Sequence, residues 1–147
     1  MATTEVQATI AAAPQDVWAV ISDPHHLSRW WPRVSRVEAV SPTAFTEVLL
    51  TAKGRPVRAD FTIVVADAPR LARWRQELEG TPFARFLTEA ETELRLESAD
   101  GGAATEVTLA VHERPYGFTT RLGALLMRRA ARRRLQDALD GLARIVA

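Results

Sequence analysis

The chain contains no cysteine, which excludes disulfides, thiolate nucleophiles and thiolate metal ligands together. Histidine is scarce, with only His25, His26 and His112. His25 and His26 are adjacent, so a helix cannot turn both towards one site, and no carboxylate cluster stands at ligand spacing from them. No metal is expected. No glycine-rich loop follows a strand and opens a helix, which excludes the usual phosphate cradles. No serine lies in a Gly-x-Ser-x-Gly setting. No cofactor is therefore expected, and the catalytic residues, if any, stay unassigned. Lys53 is the only lysine, so arginine carries almost all the positive charge. The formal net charge of +1 is too small to make the whole molecule a polyanion binder. No apolar run approaches the roughly 20 residues of a membrane span. The opening residues Met1 to Glu5 lack the basic and apolar segments of a signal peptide. A cytoplasmic location without stable membrane insertion is expected.

What is present suits a folded domain. The 147 residues are 47% hydrophobic and 25% charged, enough for a real core. No linker, repeat or low-complexity segment interrupts them, so residues 1–147 read as one domain. From about Tyr116 to Val146 the chain is free of proline and rich in Leu, Ala and Arg, all strong helix formers. Such a helix would run roughly 40 Å. Leu135, Ala138, Leu139, Leu142 and Val146 recur at steps of three and four and form one apolar face. Continued backwards, the same stripe passes through Ala131, Arg128, Ala124 and Arg121, while Leu122, Leu125 and Leu126 point elsewhere. One reading packs the C-terminal half on the rest of the protein and lets the N-terminal half border a cavity, with Arg121 or Arg128 offering charge. The other pairs both arginines with carboxylates or with solvent.

Almost everything before this helix is extended. Thr4 to Ala11 alternates as a half-buried strand. Ala13-Pro14-Gln15-Asp16 opens a helix that Ser22-Asp23-Pro24 breaks, and a second short helix stops at Trp30-Trp31-Pro32. Strands follow over Val34–Val40, Phe45–Ala52, Val57–Val65, Leu71–Glu79, Phe83–Ser98 and Thr105–Val111, separated by proline and glycine turns. Asp100-Gly101-Gly102 is a hairpin signal. The absence of strand–helix alternation after residue 35 argues against a parallel doubly wound sheet. The fold class is α+β, a curved antiparallel sheet with one long helix lying across it.

This order resembles the START-like superfamily, also called SRPBCC or helix-grip proteins, over essentially the whole chain. The resemblance rests on Ala13-Pro14-Gln15-Asp16-Val17-Trp18, Ser22-Asp23-Pro24, Trp30-Trp31-Pro32, the Asp100-Gly101-Gly102 hairpin and the long C-terminal helix. It is strongest to the bacterial polyketide cyclase/dehydrase and lipid-transport group. It implies a single START-like domain with about seven strands around the helix and a hydrophobic cavity between them. Pro14, Trp18 and Pro24 shape a scaffold, so the motifs specify fold better than activity.

Within that frame the candidate ligand-binding residues are Trp31, Phe61, Trp74, Gln76, Arg121, Leu125 and Arg128. Trp74 and Gln76 share one face of their strand, a flat wall and a hydrogen-bonding handle if that face is concave; periodicity alone does not say which face is inside. Trp30 and Trp31 stand where the family has a cavity rim, one packing and the other bordering the entrance. The expected function is binding or transport of a hydrophobic or aromatic small molecule. A cyclase or aromatase using the same cavity is the alternative, with Glu47, Glu77 or Glu89 beside Arg121 or Arg128 as its acid–base groups. A third reading is a protein-interaction module using the outer face of Leu122, Leu125 and Leu126. The basic run from Arg128 to Arg134 admits RNA, an anionic membrane or an acidic partner, but lacks aromatics for base stacking, so no nucleic-acid partner is expected. A homodimer stays open.

Overall fold

The computed structural model describes residues 1–117 and 120–147. Strand β1 (Ala2–Ile10) is followed by helix α1 (Pro14–Ile21), a 3-10 turn over Pro24–His26 and helix α2 (Leu27–Trp30). The chain then runs through β2 (Val34–Glu38), β3 (Ala44–Leu50), β4 (Pro56–Asp67), β5 (Leu71–Glu77), β6 (Leu87–Ala99) and β7 (Ala104–Pro115), and ends in α3 (Arg121–Val146). The seven strands form one antiparallel sheet in the order β1-β7-β6-β5-β4-β3-β2. Strands β2 to β7 are a meander. The first strand closes against the last, from Ala2 opposite Glu113 to Ile10 opposite Thr105.

Local chemistry explains most boundaries. Pro14 stands in the first turn of α1, where its missing N–H costs nothing. The Asp23 carboxylate accepts the His25 N–H at 3.0 Å and starts the next turn. The β6–β7 hairpin places Asp100, Gly101 and Gly102 at positive φ, which the two glycines adopt without penalty and aspartate more readily than most residues. The buried Thr105 hydroxyl donates to the Ala12 carbonyl at 2.7 Å, tying the start of β7 to the turn before α1. The expected strand over Phe83–Ser98 begins only at Leu87. Pro82 fits a helical first turn and starts a 3-10 helix over Pro82–Arg85.

The buried residues of α3 are Ala131, Leu135, Ala138, Leu139, Gly141 and Leu142. They pack with Val6, Ile10, Val107 and Leu109 of β1 and β7 and with Leu27 and Trp30 of α2 in one hydrophobic core. Gly141 allows a close approach, since a Cβ there would lie 2.5 Å from the Trp30 carbonyl oxygen. The helix starts later than expected. Phe118 and Thr119 lie outside the described residues. Arg121 is the first helical residue, and the Thr120 hydroxyl caps it by accepting the Gly123 N–H at 3.0 Å. The apolar stripe also stops sooner. Arg121, Ala124 and Arg128 are exposed, not turned to the sheet. At about 39 Å the 26-residue helix is long enough for its first turns to run past the packed body. Among the described residues no helix is long and apolar enough to cross a membrane.

Candidate functional site

Period-two alternation puts Phe45, Glu47 and Leu49 of β3, Ala59 and Phe61 of β4, Trp74 and Gln76 of β5, and Ala90 and Thr92 of β6 on the concave face. The deeper part of this face is filled. Phe45 and Phe61 stack with centroids 5.2 Å apart, and Trp74 meets Phe45 edge-on at 5.2 Å. Trp31 lies 6.4 Å from Trp74, and Trp30 meets Trp31 edge-on at 5.3 Å. Beyond this aromatic cluster the concave face is open and leaves a cavity of about 240 Å³. Trp31, Leu49, Phe61, Trp74, Phe83, Leu87 and Val111 supply its apolar wall, and Arg33, Glu47, Gln76, Glu91, Thr92, Glu113 and Arg134 its polar groups. It is small for a drug-sized pocket but larger than an engineered benzene-binding void of about 150 Å³.

The sheet parts beside this cavity. The pairing of β5 with β6 runs from Leu71 opposite Arg95 to Arg75 opposite Glu91. Past that point a second recess lies between the two strands, and Gln76, Ala90 and Glu91 border both spaces.

The electrostatic centre of the cavity is Glu47, only 4% exposed. Burial pushes its carboxyl up to about 8, against the smaller downward pull of the Arg134 charge. The group is therefore mostly protonated at neutral pH, a hydrogen-bond donor with an apolar surround. Arg134 reaches the cavity from α3 and lies 3.7 Å from Glu113. It forms no ion pair with Glu47, so a cation and a neutral acid face the same space. Glu93 is the contrast. It too is little exposed, but it lies less deeply, on the convex face, with Arg73 at 2.7 Å and Arg95 at 2.9 Å. Burial alone would raise its pKa, yet the hydrogen bond from Arg73 and the charges of Arg73, Arg95 and His112 outweigh it and hold the carboxyl below its ordinary value.

Four of the sequence-derived candidates, Trp31, Phe61, Trp74 and Gln76, border one cavity, so the face carrying Trp74 and Gln76 is concave. Trp30 is the packing member of its pair and Trp31 the lining one. Arg121, Leu125 and Arg128 are exposed and do not line it. Of the three acids considered, Glu47 is in the cavity, whereas the Glu77 and Glu89 side chains are 49% and 55% exposed. Of the two arginines that border the cavity, Arg33 is exposed and Arg134 half-buried, the latter hidden in the sequence among its neighbours. Its spacing was the available signal: it follows buried Ala131 by three residues and precedes buried Ala138 by four, positions that share a helix face. His25 pairs with Asp23 at the surface, and His112 hydrogen-bonds Thr3 at 2.8 Å. Among the described residues no three metal-ligating side chains gather.

A curved antiparallel sheet closed by a long C-terminal helix, with a lined cavity between them, defines a helix-grip protein. The chain belongs to the "Polyketide cyclase / dehydrase and lipid transport" family, whose model matches residues 1–147. Solved structures agree in fold. A START superfamily protein from Mycobacterium smegmatis matches with a TM-score of 0.78 at 11% identity, over 98% of this chain and 96% of that one. The ZhuI aromatase/cyclase from Streptomyces sp. R1128 matches with a TM-score of 0.78 at 17% identity, over 97% and 91%. A conserved protein from Geobacillus kaustophilus matches at 0.80 and 15% identity, over 99% and 95%. Identities this low speak to the fold alone. No curated protein matches the chain in sequence.

Proposed function

We propose that the chain binds a hydrophobic or aromatic small molecule in this cavity, with Trp31, Phe61 and Trp74 as apolar contacts and Gln76, Glu47 and Arg134 as the groups that orient it. The observation that carries this reading is an aromatic wall beside two polar side chains, Glu47 and Gln76, that hydrogen-bond no described side chain, with Arg134 held at the same wall by Glu113. Affinity would come from apolar burial at roughly 25 cal/mol per Å². Protonated Glu47, Arg134 and the Gln76 amide all present donors, which suits a ligand carrying a carbonyl or an anionic oxygen at one end. The test is mass spectrometry of the purified protein, native and then denatured. A co-purifying apolar compound that is lost from Trp74→Ala, while the fold persists by circular dichroism, is the expected result. A protein that stays empty after incubation with lipid and polyketide extracts would overturn the reading.

A cyclase or dehydratase activity is the second reading, and Glu47 is its specific support. An acid whose pKa lies near neutral can both give and retrieve a proton, and Arg134 would stabilise negative charge forming on a carbonyl oxygen. In this case Glu47→Gln would retain ligand binding and abolish turnover of a poly-carbonyl substrate. Equal turnover by the variant would remove Glu47 from any such mechanism.

A further inference from the structure

The first turns of α3 contrast with the cavity. Arg121, Leu122 and every residue from Ala124 to Ala130 are exposed. Leu122, Leu125 and Leu126 are 65%, 48% and 55% exposed, far beyond what a packed helix leaves in water. At 3.6 residues per turn these leucines lie on the side of the helix roughly opposite Ala131, Ala138 and Leu142. Arg129, Arg132 and Arg133 continue that outer side, also exposed. Residues 114–136 hold seven arginines and no carboxylate, although the chain as a whole has a net charge of only +1. Arg114 and Arg134 approach Glu89 and Glu113. Arg121, Arg128, Arg129, Arg132 and Arg133 form no ion pair with a described carboxylate.

We propose that the outer face of the N-terminal half of α3 docks reversibly on an anionic lipid bilayer, leucines in the acyl boundary and arginines among the phosphates. Charge complementarity selects this occupant. A second copy would bring Arg129, Arg132 and Arg133 against the same three arginines. A nucleic acid would engage the arginines and leave the leucines wet. An anionic bilayer satisfies both sets at once, as basic amphipathic helices do. Docking here is independent of the cavity reading, since an empty protein would still bind.

The test is co-sedimentation of the full chain with vesicles of phosphatidylglycerol and phosphatidylcholine, against vesicles of phosphatidylcholine alone. Binding to the anionic vesicles only is expected. It should fade between about 0.1 M and about 1 M salt, as the screening length falls from roughly 10 Å to roughly 3 Å. Arg129→Gln, Arg132→Gln and Arg133→Gln together should weaken it roughly a hundredfold. Leu122→Gln, Leu125→Gln and Leu126→Gln together should weaken it about tenfold or more. Unchanged thermal midpoints would show both variants folded, as the exposure of these residues requires. Absence of binding, equal binding to neutral vesicles, or full binding by the leucine variant would overturn the proposal, the last by reducing it to polyanion attraction. Self-association without vesicles that disappears in the leucine variant would overturn it in favour of a second copy.

Discussion

The two halves of α3 are made of the same residue types and meet opposite environments. Residues 131–146 bury Ala131, Leu135, Ala138, Leu139, Gly141 and Leu142 against the sheet and α2, whereas residues 121–130 bury none. Leucine, alanine and arginine favour helix equally in both. Propensity therefore accounts for the helix and tertiary packing for its fate. Arg134 stands near the junction, where the helix passes from the cavity wall to open surface.

Substitutions can test how sharp that junction is. Leu135→Ala should cost about 2–5 kcal/mol in chemical denaturation, as expected when a fully buried leucine leaves a void. A cost below about 1 kcal/mol would mean that the C-terminal half packs loosely. Close to the junction, Glu47→Gln should stabilise the protein on the order of 3 kcal/mol at pH 7. The folded carboxyl keeps its proton to about pH 8, while the unfolded one loses it near 4.5. The folded state thus binds more protons between those values, and stability falls as pH rises through them. The variant should lack that fall and match the parent below pH 4.5. A parent whose stability is flat over this range would show Glu47 to be solvated or paired. Gly141→Ala should destabilise by roughly 2 kcal/mol, although alanine is the better helix former. Its Cβ would collide with the Trp30 backbone. A gain in melting temperature would show that α2 can retreat. Leu125→Ala should change stability by less than about 0.5 kcal/mol, and a larger loss would place a partner or a packed surface over the exposed half.

Much of the architecture was legible because alternation and turn chemistry act locally. Thr4 to Ile10, Leu94 with Leu96, and the Asp100-Gly101-Gly102 hairpin announce themselves in a few residues. What spoils alternation is less visible. Between Ile63 and Val65 the pairing of β4 with β5 shifts register, and Val64 is 40% exposed at the irregularity. The cavity was legible by half. The alternation that places Trp74 with Gln76 also places Glu47 with Phe45 and Leu49, but only the assembled sheet makes that face concave. The stripe through Arg128 and Arg121 follows from periodicity just as Leu135 does. It fails because periodicity cannot tell where the sheet beneath the helix ends. Arg134 was obscured by the reverse problem, a lining residue inside a run of exposed ones.

The pairing of β1 with β7 carries a consequence for synthesis. Thr3 lies opposite His112, across more than a hundred positions of chain. As the protein leaves the ribosome, each of the hairpins from β2 to β7 can form from neighbours already present. Strand β1 has no partner until β7 emerges, and the core face of α3 comes later still. The N-terminal strand therefore waits, with its edge unpaired, for most of the time the chain is being made. Topologies dominated by such distant contacts fold slowly, and the waiting strand is the segment most in need of protection from other chains.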